Sequence, residues 1–494
     1  MAIGALFDPF KVFLILILFF IQAISYGATS LEGGWKGTWD TGMTQFRVAL
    51  VFQKDSSGLR GTFNNIDEGQ YELPLQKIKT TERSIRAELS TGEVFDLNLD
   101  PSGSRLEGTC RQVPGHFEKP GVLAPVRLSR GMDFLIPRMS PDGKVQILYS
   151  YLAPSKKSDD WEVGDLKGIR SDLLSVGLQK AVDGTFPHIH GVVIARGGKL
   201  LVDEYFYGYG PEDEHPLHSV TKSVFSILVG IATGQGLLKP EESLYDHFPE
   251  YRTRPGWKAA KDKVTLRTLL TMTSGFACDD WKNSTACSWS MVDSPDWLDF
   301  SLSEPLDHEP GEHFAYCGAC LTPLSVLLAR QSRMTVPQFA QRNLFERLGI
   351  PSSPWMEGPQ GVTPPAFGLK MRPRDLAKLG ALYLQKGTWK GKEIVPKTWV
   401  EGSLSALVPA SQTHGKGDYG FLWWAKDMKV RKKNLRVHFA WGVGGQYLFL
   451  VPALDLVCVV TAGNENDSRL GTNSLRLFEE YVLPTFIGPS SGQN

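Results

Sequence analysis

Ser219-Val220-Thr221-Lys222 opens a run in which Val220, Val224, Ile227, Leu228 and Ile231 recur at helical spacing, with Pro216 just upstream. A helix this apolar belongs inside a domain with a substantial core, and the proline predicts that it starts near Ser219. Residues three apart share a helical face, so the Lys222 amine comes within reach of the Ser219 hydroxyl. A hydroxyl is a weak nucleophile until its proton is removed, and a lysine removes it only when its own charge is disfavoured by desolvation or a nearby cation. The first turn of a buried helix supplies that setting. The four-residue pattern alone arises by chance in a chain of this length; its position gives it weight.

With 494 residues the chain is too long for one ordinary core and divides into two or three domains. Lys+Arg and Asp+Glu both number 53, a balance that argues against a nucleic-acid or polyanion partner. At the N-terminus Lys11 precedes an apolar run from Val12 to Phe20, continued by Ile21, Ala23 and Ile24, with small residues at Ser25 and Gly27. The run falls short of the ~20 residues a spanning helix needs and reads as a signal peptide over 1–27. The expected location is periplasmic or secreted, with no stable membrane span after cleavage; an uncleaved anchor is the alternative.

Residues 31–130 alternate apolar and polar positions, as in Phe46, Val48 and Leu50. Short strand-like runs (Gly61–Phe63, Ser84–Leu89, Val94–Leu99, Val122–Leu128) are parted by Gly, Ser and Asp clusters. This predicts a small antiparallel sheet or barrel with a packing or substrate-presenting role. A Pro-, Ser- and Lys-rich stretch over 131–164 reads as a linker. The main domain, 165–487, begins with a helix from Asp172 to Val182 and a hairpin turned at Gly197-Gly198. It ends with strands Gln446–Val451 and Leu456–Thr461 and a helix from Asn473 to Leu483. Both ends of the domain therefore build one sheet around a helical insertion, an α/β architecture.

Tyr316 lies in a loop entering the helix from Leu321 to Arg330 and is a candidate second proton carrier. Trp441-Gly442-Val443-Gly444-Gly445-Gln446 leads into a strand, and closely spaced glycines let backbone N–H groups approach a developing oxyanion. Asp280 and Trp281, in a polar stretch punctuated by Trp289 and Trp297, read as a lid. His188-Ile189-His190 reads as the start of a strand, because the continuation typical of metal hydrolases is missing. Cys278 and Cys287 flank the polar stretch and could close it; a bridge from Cys317 to Cys278 is the other pairing that suits the pocket.

In order and wording these motifs resemble the serine beta-lactamase-related hydrolases: class C type beta-lactamases, penicillin-binding proteins, and esterases and 6-aminohexanoate-dimer hydrolases of the same fold. Ser219-x-x-Lys222 resembles their first motif, Tyr316-x-Gly318 their second and Gly442–Gln446 their third, which the resemblance places on the sheet-edge strand. Leu266–Gly275 and Arg374–Gly380 are similar to non-catalytic stretches of the family. The resemblance implies a beta-lactamase/transpeptidase-like fold, an antiparallel sheet flanked by helices plus a helical insertion, preceded by a small all-β domain. It implies acyl transfer with Ser219 as nucleophile, Lys222 as base, Tyr316 as proton carrier and the amides of Ser219 and Val443-Gly444 as oxyanion donors. No metal or organic cofactor is implied, and the substrate is a small or peptide-like ester or amide. Two departures stand out: the second motif ends in Gly318 where relatives often carry Asn, and the third lacks the Lys or His of true beta-lactamases. The competing expectations are a D-alanyl peptidase or penicillin-binding protein, and a vestigial cell-envelope binding protein.

Overall fold

The computed structural model describes residues 30–487 apart from 42–44, 57, 112–122, 139–147, 168, 170, 256, 283–286 and 466. The signal peptide read over 1–27 lies outside the described residues. The described chain divides into two units, one drawn from Met1–Asn65 and Tyr71–Met132, the other from Ile66–Gln70 and Asp133–Asn494.

The first unit is a nine-stranded sheet. Its opening strand Gly33–Asp40 pairs antiparallel with both Gln45–Asp55 and the unit's last strand, Leu123–Arg130, so the first and last strands of this sheet are neighbours. The alternation read at Phe46, Val48 and Leu50 points these residues inward with Trp35, Trp39, Phe63 and Phe95. Trp39 packs against the rings of Phe46, Phe63 and Phe95 at 5.9–6.1 Å, and this aromatic cluster supplies the buried area a small β unit needs.

The second unit is built on an eight-stranded sheet. Its spatial order is Glu162–Val163, Lys199–Tyr205, Ile189–Arg196, Leu456–Ala462, Gln446–Val451, Lys433–Gly442, Trp424–Val430 and Asp418–Tyr419. Strands from both ends of the domain meet at its centre, where Val192 lies opposite Val460. The helix Val220–Gly234 is buried at every residue from Val220 to Ala232, its apolar residues together with Thr221, Lys222, Ser223 and Ser226. One expectation is corrected. The third-motif segment does not sit at the sheet edge but turns between Lys433–Gly442 and Gln446–Val451, with two further strands outside it. In the nearer of them, Trp424–Val430, the exposed Lys426, Asp427 and Lys429 interrupt the buried residues, so no apolar run announced it.

From Asp133 on, the described part of the stretch read as a linker over 131–164 belongs to this unit. Trp161 is buried and donates to Arg374 O at 3.1 Å, while Asp159 and Asp203 each accept from the Arg374 guanidinium, at 2.7 and 2.5 Å. Arg374 starts the helix Pro373–Leu384, on which Lys378 and Asp375 form a second buried pair at 3.2 Å. Arg374–Gly380 thus fastens this segment and the strand Lys199–Tyr205 to one helix, which gives the stretch a structural use.

Candidate active site

Ser219 occupies the N-cap position of the helix Val220–Gly234, yet its hydroxyl makes no capping bond. It faces inward instead, with Lys222 Nζ 2.9 Å from its Oγ. Lys222 is only 4% exposed. Its amine also donates to Ala366 O at 3.1 Å and lies over the Tyr316 ring, 4.7 Å from the centroid. Ser219, Lys222 and Tyr316, drawn from one helix and a loop almost a hundred residues away, therefore share one pocket.

The Tyr316 loop is held from two sides. Leu266–Leu270 is a short helix with a Thr265/Thr268 capping box, and the residues after it supply acceptors. Met272 O takes the Ala315 N–H at 2.9 Å and Thr273 O the Gly311 N–H at 2.7 Å. On the other side Tyr316 O accepts from Asp280 N at 2.8 Å, and Asp280 Oδ2 accepts from Gly318 N at 2.9 Å and from Ser288 Oγ at 2.7 Å. Trp281 stacks on Tyr316 with centroids 4.7 Å apart and planes 10° apart, and Trp424 stacks on Trp281 at 5.9 Å. Asp280, read as part of a lid, is thus a clamp on the second motif, while Trp281, 36% exposed, forms a wall of the pocket.

This clamp explains Gly318. A Cβ at that position would stand 2.5 Å from Ser288 Oγ and 3.2 Å from the Ala366 Cβ, so a longer side chain has no space. The position that relatives often fill with an amide is here given over to the Asp280–Ser288 contacts.

The third motif forms a turn at Val443–Gly445, with Gly444 at φ 80° and Gly445 at φ 100°, backbone geometry that suits glycine. A Cβ on Gly442 would meet Leu217 O at 2.6 Å and His218 Cβ at 3.2 Å, so the turn runs against the residues entering the Ser219 helix. Gln446 is fully buried, and its amide imitates a backbone rung. Its Oε1 accepts from Ala462 N at 3.1 Å, and its Nε2 donates to Ala462 O and, at 3.2 Å, to Val443 O. Trp441 stands against Trp424 at 6.3 Å, completing an aromatic wall of Trp281, Trp424 and Trp441. Trp424 was not singled out from sequence, and Gln446 was read only as the end of the third motif, without this role.

Cys278 pairs with Cys287 and Cys317 with Cys320, so the pairing of Cys317 with Cys278 is not the one formed. The three-residue spacing at the head of a helix brings Cys317 and Cys320 to a Cα separation of 5.5 Å, within ordinary disulfide reach. The Cys278–Cys287 bridge closes the loop carrying Asp280 and Trp281. The histidine pair reads as expected for a strand start: His190 is buried with Nδ1 2.8 Å from His215 Nε2, and His188 Nδ1 lies 3.2 Å from Asn464 Oδ1.

The Beta-lactamase family profile matches residues 182–477, which includes all three motifs. A 6-aminohexanoate-dimer hydrolase of Paenarthrobacter ureafaciens is 25% identical over 288 residues, 54% of this chain and 70% of that protein. Among solved structures, a family VIII carboxylesterase aligns with a TM-score of 0.51 at 15% identity, over 63% of this chain and 96% of its own. EstCE1, a hydrolase with promiscuous acyltransferase activity, aligns with a TM-score of 0.50 at 17% identity, over 62% of this chain and 96% of its own. At such identities the structural likeness speaks for the fold, and the family match spans more than half of the chain. The chain belongs to the beta-lactamase family, as a serine hydrolase with a β-sheet unit ahead of its hydrolase domain.

Proposed function

We propose that the protein cleaves an ester or amide through an acyl-enzyme. The observation that carries this reading is the 2.9 Å separation of Lys222 Nζ and Ser219 Oγ in a buried pocket, a hydrogen-bond reach suited to proton transfer. Ser219 Oγ bonds to the substrate carbonyl carbon as its proton passes to the Lys222 amine. The bond to the leaving oxygen or nitrogen then breaks, with Tyr316 delivering the proton that group needs. Water repeats the sequence in reverse sense, releasing the acid and restoring the serine. The amides of Ser219 and of the Val443-Gly444 turn are assigned to the carbonyl oxygen, a contribution of about 2.7–4 kcal/mol per donor in comparable sites. The relatives' names, a dimer hydrolase and a carboxylesterase, agree with ester or amide chemistry.

Export to the periplasm or beyond belongs to the same proposal. It rests on the apolar N-terminal run and on two disulfides, which persist in oxidising compartments. No described helix is long and apolar enough to cross a membrane.

The third motif ranks substrates. Positions 441–443 are Trp, Gly and Val, where a beta-lactamase places its carboxylate-binding cation. Lys416 stands near, with Nζ 6.0 Å over the Trp441 ring, but it is exposed and its charge is shared with water. Short-chain p-nitrophenyl esters are therefore expected to be hydrolysed with higher kcat/KM than nitrocefin. Nitrocefin turnover exceeding that of every ester in the panel would reverse the ranking and make Lys416 the carboxylate anchor.

Tyr316→Phe keeps the ring between Lys222 and Trp281 and removes only the hydroxyl. For alkyl esters and amides the chemical step should slow by about 10²–10⁴-fold, the usual worth of a general acid. For p-nitrophenyl esters, whose leaving group departs without protonation, the loss should be much smaller. Equal losses across leaving groups would reduce Tyr316 to a packing residue.

A further inference from the structure

His218, the residue immediately before the nucleophile, has a left-handed backbone with φ 45°. A histidine held there is strained and needs surrounding structure to keep it so. The structure shows what holds it. His218 Nε2 lies 3.1 Å from Glu465 Oε1, a partner 247 residues along the chain, and His218 O accepts from Thr221 N at 3.1 Å in the first turn of the Ser219 helix.

Glu465 follows the strand Leu456–Ala462 and runs beneath the glycine turn. A Cβ on Gly444 would stand 2.2 Å from Glu465 Oε1 and 2.5 Å from its Cδ, so the carboxylate fills the space that glycine leaves. Gln446 Nε2 donates to the same Oε1 at 3.3 Å, and Asn464 N donates to Gly444 O at 3.1 Å. One buried carboxylate oxygen thus bridges the residue that enters the nucleophile and the turn assigned to the oxyanion. The other oxygen, Oε2, is buried without a hydrogen-bond partner among the described residues. A buried pair of this kind brings little net stability over an apolar one, and its retention suits a specific geometric task.

We propose that His218 and Glu465 are positioning residues, a pair that fixes the Ser219 hydroxyl and the Val443–Gly445 turn in register with each other for acyl transfer. The pair rests on the hydrolase reading above but has no part in its proton transfers. Burial opposes protonation of His218, yet the hydrogen bond and charge of Glu465 outweigh it, and Glu68 and Asp67 of the Ile66–Gln70 segment act in the same direction, so the imidazole pKa lies above its ordinary value. Glu68 is itself pushed up by burial to about 7, with His218 and Lys370 opposing the rise. Burial also raises the Glu465 carboxyl above its ordinary value, so the imidazolium–carboxylate pair exists between the two raised values, lost as pH climbs through that of His218 and as it falls through that of Glu465.

The test uses Glu465→Gln, His218→Asn, which tolerates the left-handed backbone, and the double variant, in the full chain. With the best ester substrate, each single change should lower kcat by about 10²-fold, the scale of a misplacement near 1 Å, and leave KM within about threefold. The double variant should be no worse than either single one, because the two act as a unit. In a Ser219→Ala background, the His218 imidazole followed by NMR should titrate at lower pH once Glu465 is Gln. If His218→Asn fails to fold, the near-isosteric Glu465→Gln carries the test alone. Unchanged kcat, losses that add in the double variant with KM rising in step, or an unmoved His218 titration would each overturn the proposal. The titration needs no turnover, so it separates failure of the pair from failure of the serine-hydrolase mechanism, which only retained activity in Ser219→Ala would signal.

Discussion

Ser219→Ala is expected to abolish turnover of every substrate and all labelling by a fluorophosphonate probe, while the folded protein is left almost as stable as before. The first half follows from chemistry: without Oγ nothing forms the acyl bond, and loss of a nucleophilic serine from a comparable catalytic unit costs about 10⁶-fold. The second half follows from the fold. The Ser219 side chain makes no capping bond, so its loss opens no helix end. Removing one oxygen leaves the apolar face of Val220–Gly234 untouched, and the cost is that of one hydrogen bond, about 1 kcal/mol. Lys222 would retain Ala366 O as a partner. The paired measurement is thermal melting beside probe labelling in gel. A variant that melts like the parent yet hydrolyses the best ester at a comparable rate would remove Ser219 as nucleophile. A variant that melts much earlier would show that the hydroxyl has a structural role the geometry does not assign it.

The parts of this site that were readable in advance are those whose partners lie close in sequence. Ser219 and Lys222 are one helical turn apart, so spacing alone brings them together. The central strands Ile189–Arg196 and Leu456–Ala462 are buried on both faces and announce themselves as apolar runs. Trp424–Val430 and Lys433–Gly442 escaped because Lys426, Asp427, Lys429, Lys433 and Arg436 interrupt their apolar residues, and with them went the true interior position of the glycine turn. Tyr316 was a candidate from its place in a loop before a helix, and only the family wording around it tied it to the Ser219–Lys222 pair. The reason for Gly318 lay in Ser288 and Asp280, thirty or more residues upstream, and that for His218 in Glu465, at the other end of the domain. Polar partners brought together by tertiary packing leave no periodic trace in a single sequence. The apparent loss of an amide at Gly318 was therefore open to being read as damage, where the structure shows the space beside it taken by Ser288 and Ala366.

Lys222→Arg is expected to be nearly as severe as loss of the serine, a fall of about 10⁴-fold or more in kcat/KM. Guanidinium stays protonated at any pH a protein survives and has no lone pair to take the Ser219 proton. The buried position sharpens the comparison: Nζ is held between Ser219 Oγ, Ala366 O and the Tyr316 ring, and the larger arginine head must displace one of them. Bulk could then imitate a chemical defect, so Lys222→Met is the necessary companion, similar in length, uncharged and easily accommodated. If Lys222 acts as a base, both variants should be inactive and label slowly with the fluorophosphonate, although one keeps the positive charge and the other lacks it. If it serves only as a positive charge that stabilises the tetrahedral oxyanion, the arginine variant should keep substantial activity and the methionine variant should lose it. Burst-phase kinetics with a p-nitrophenyl ester give the finer test. A base needed for attack slows the burst itself, whereas one needed only for deacylation leaves a full burst followed by a stalled acyl-enzyme. A rapid burst in Lys222→Met would transfer the task of activating Ser219 to another group and leave Lys222 with the second half of the reaction.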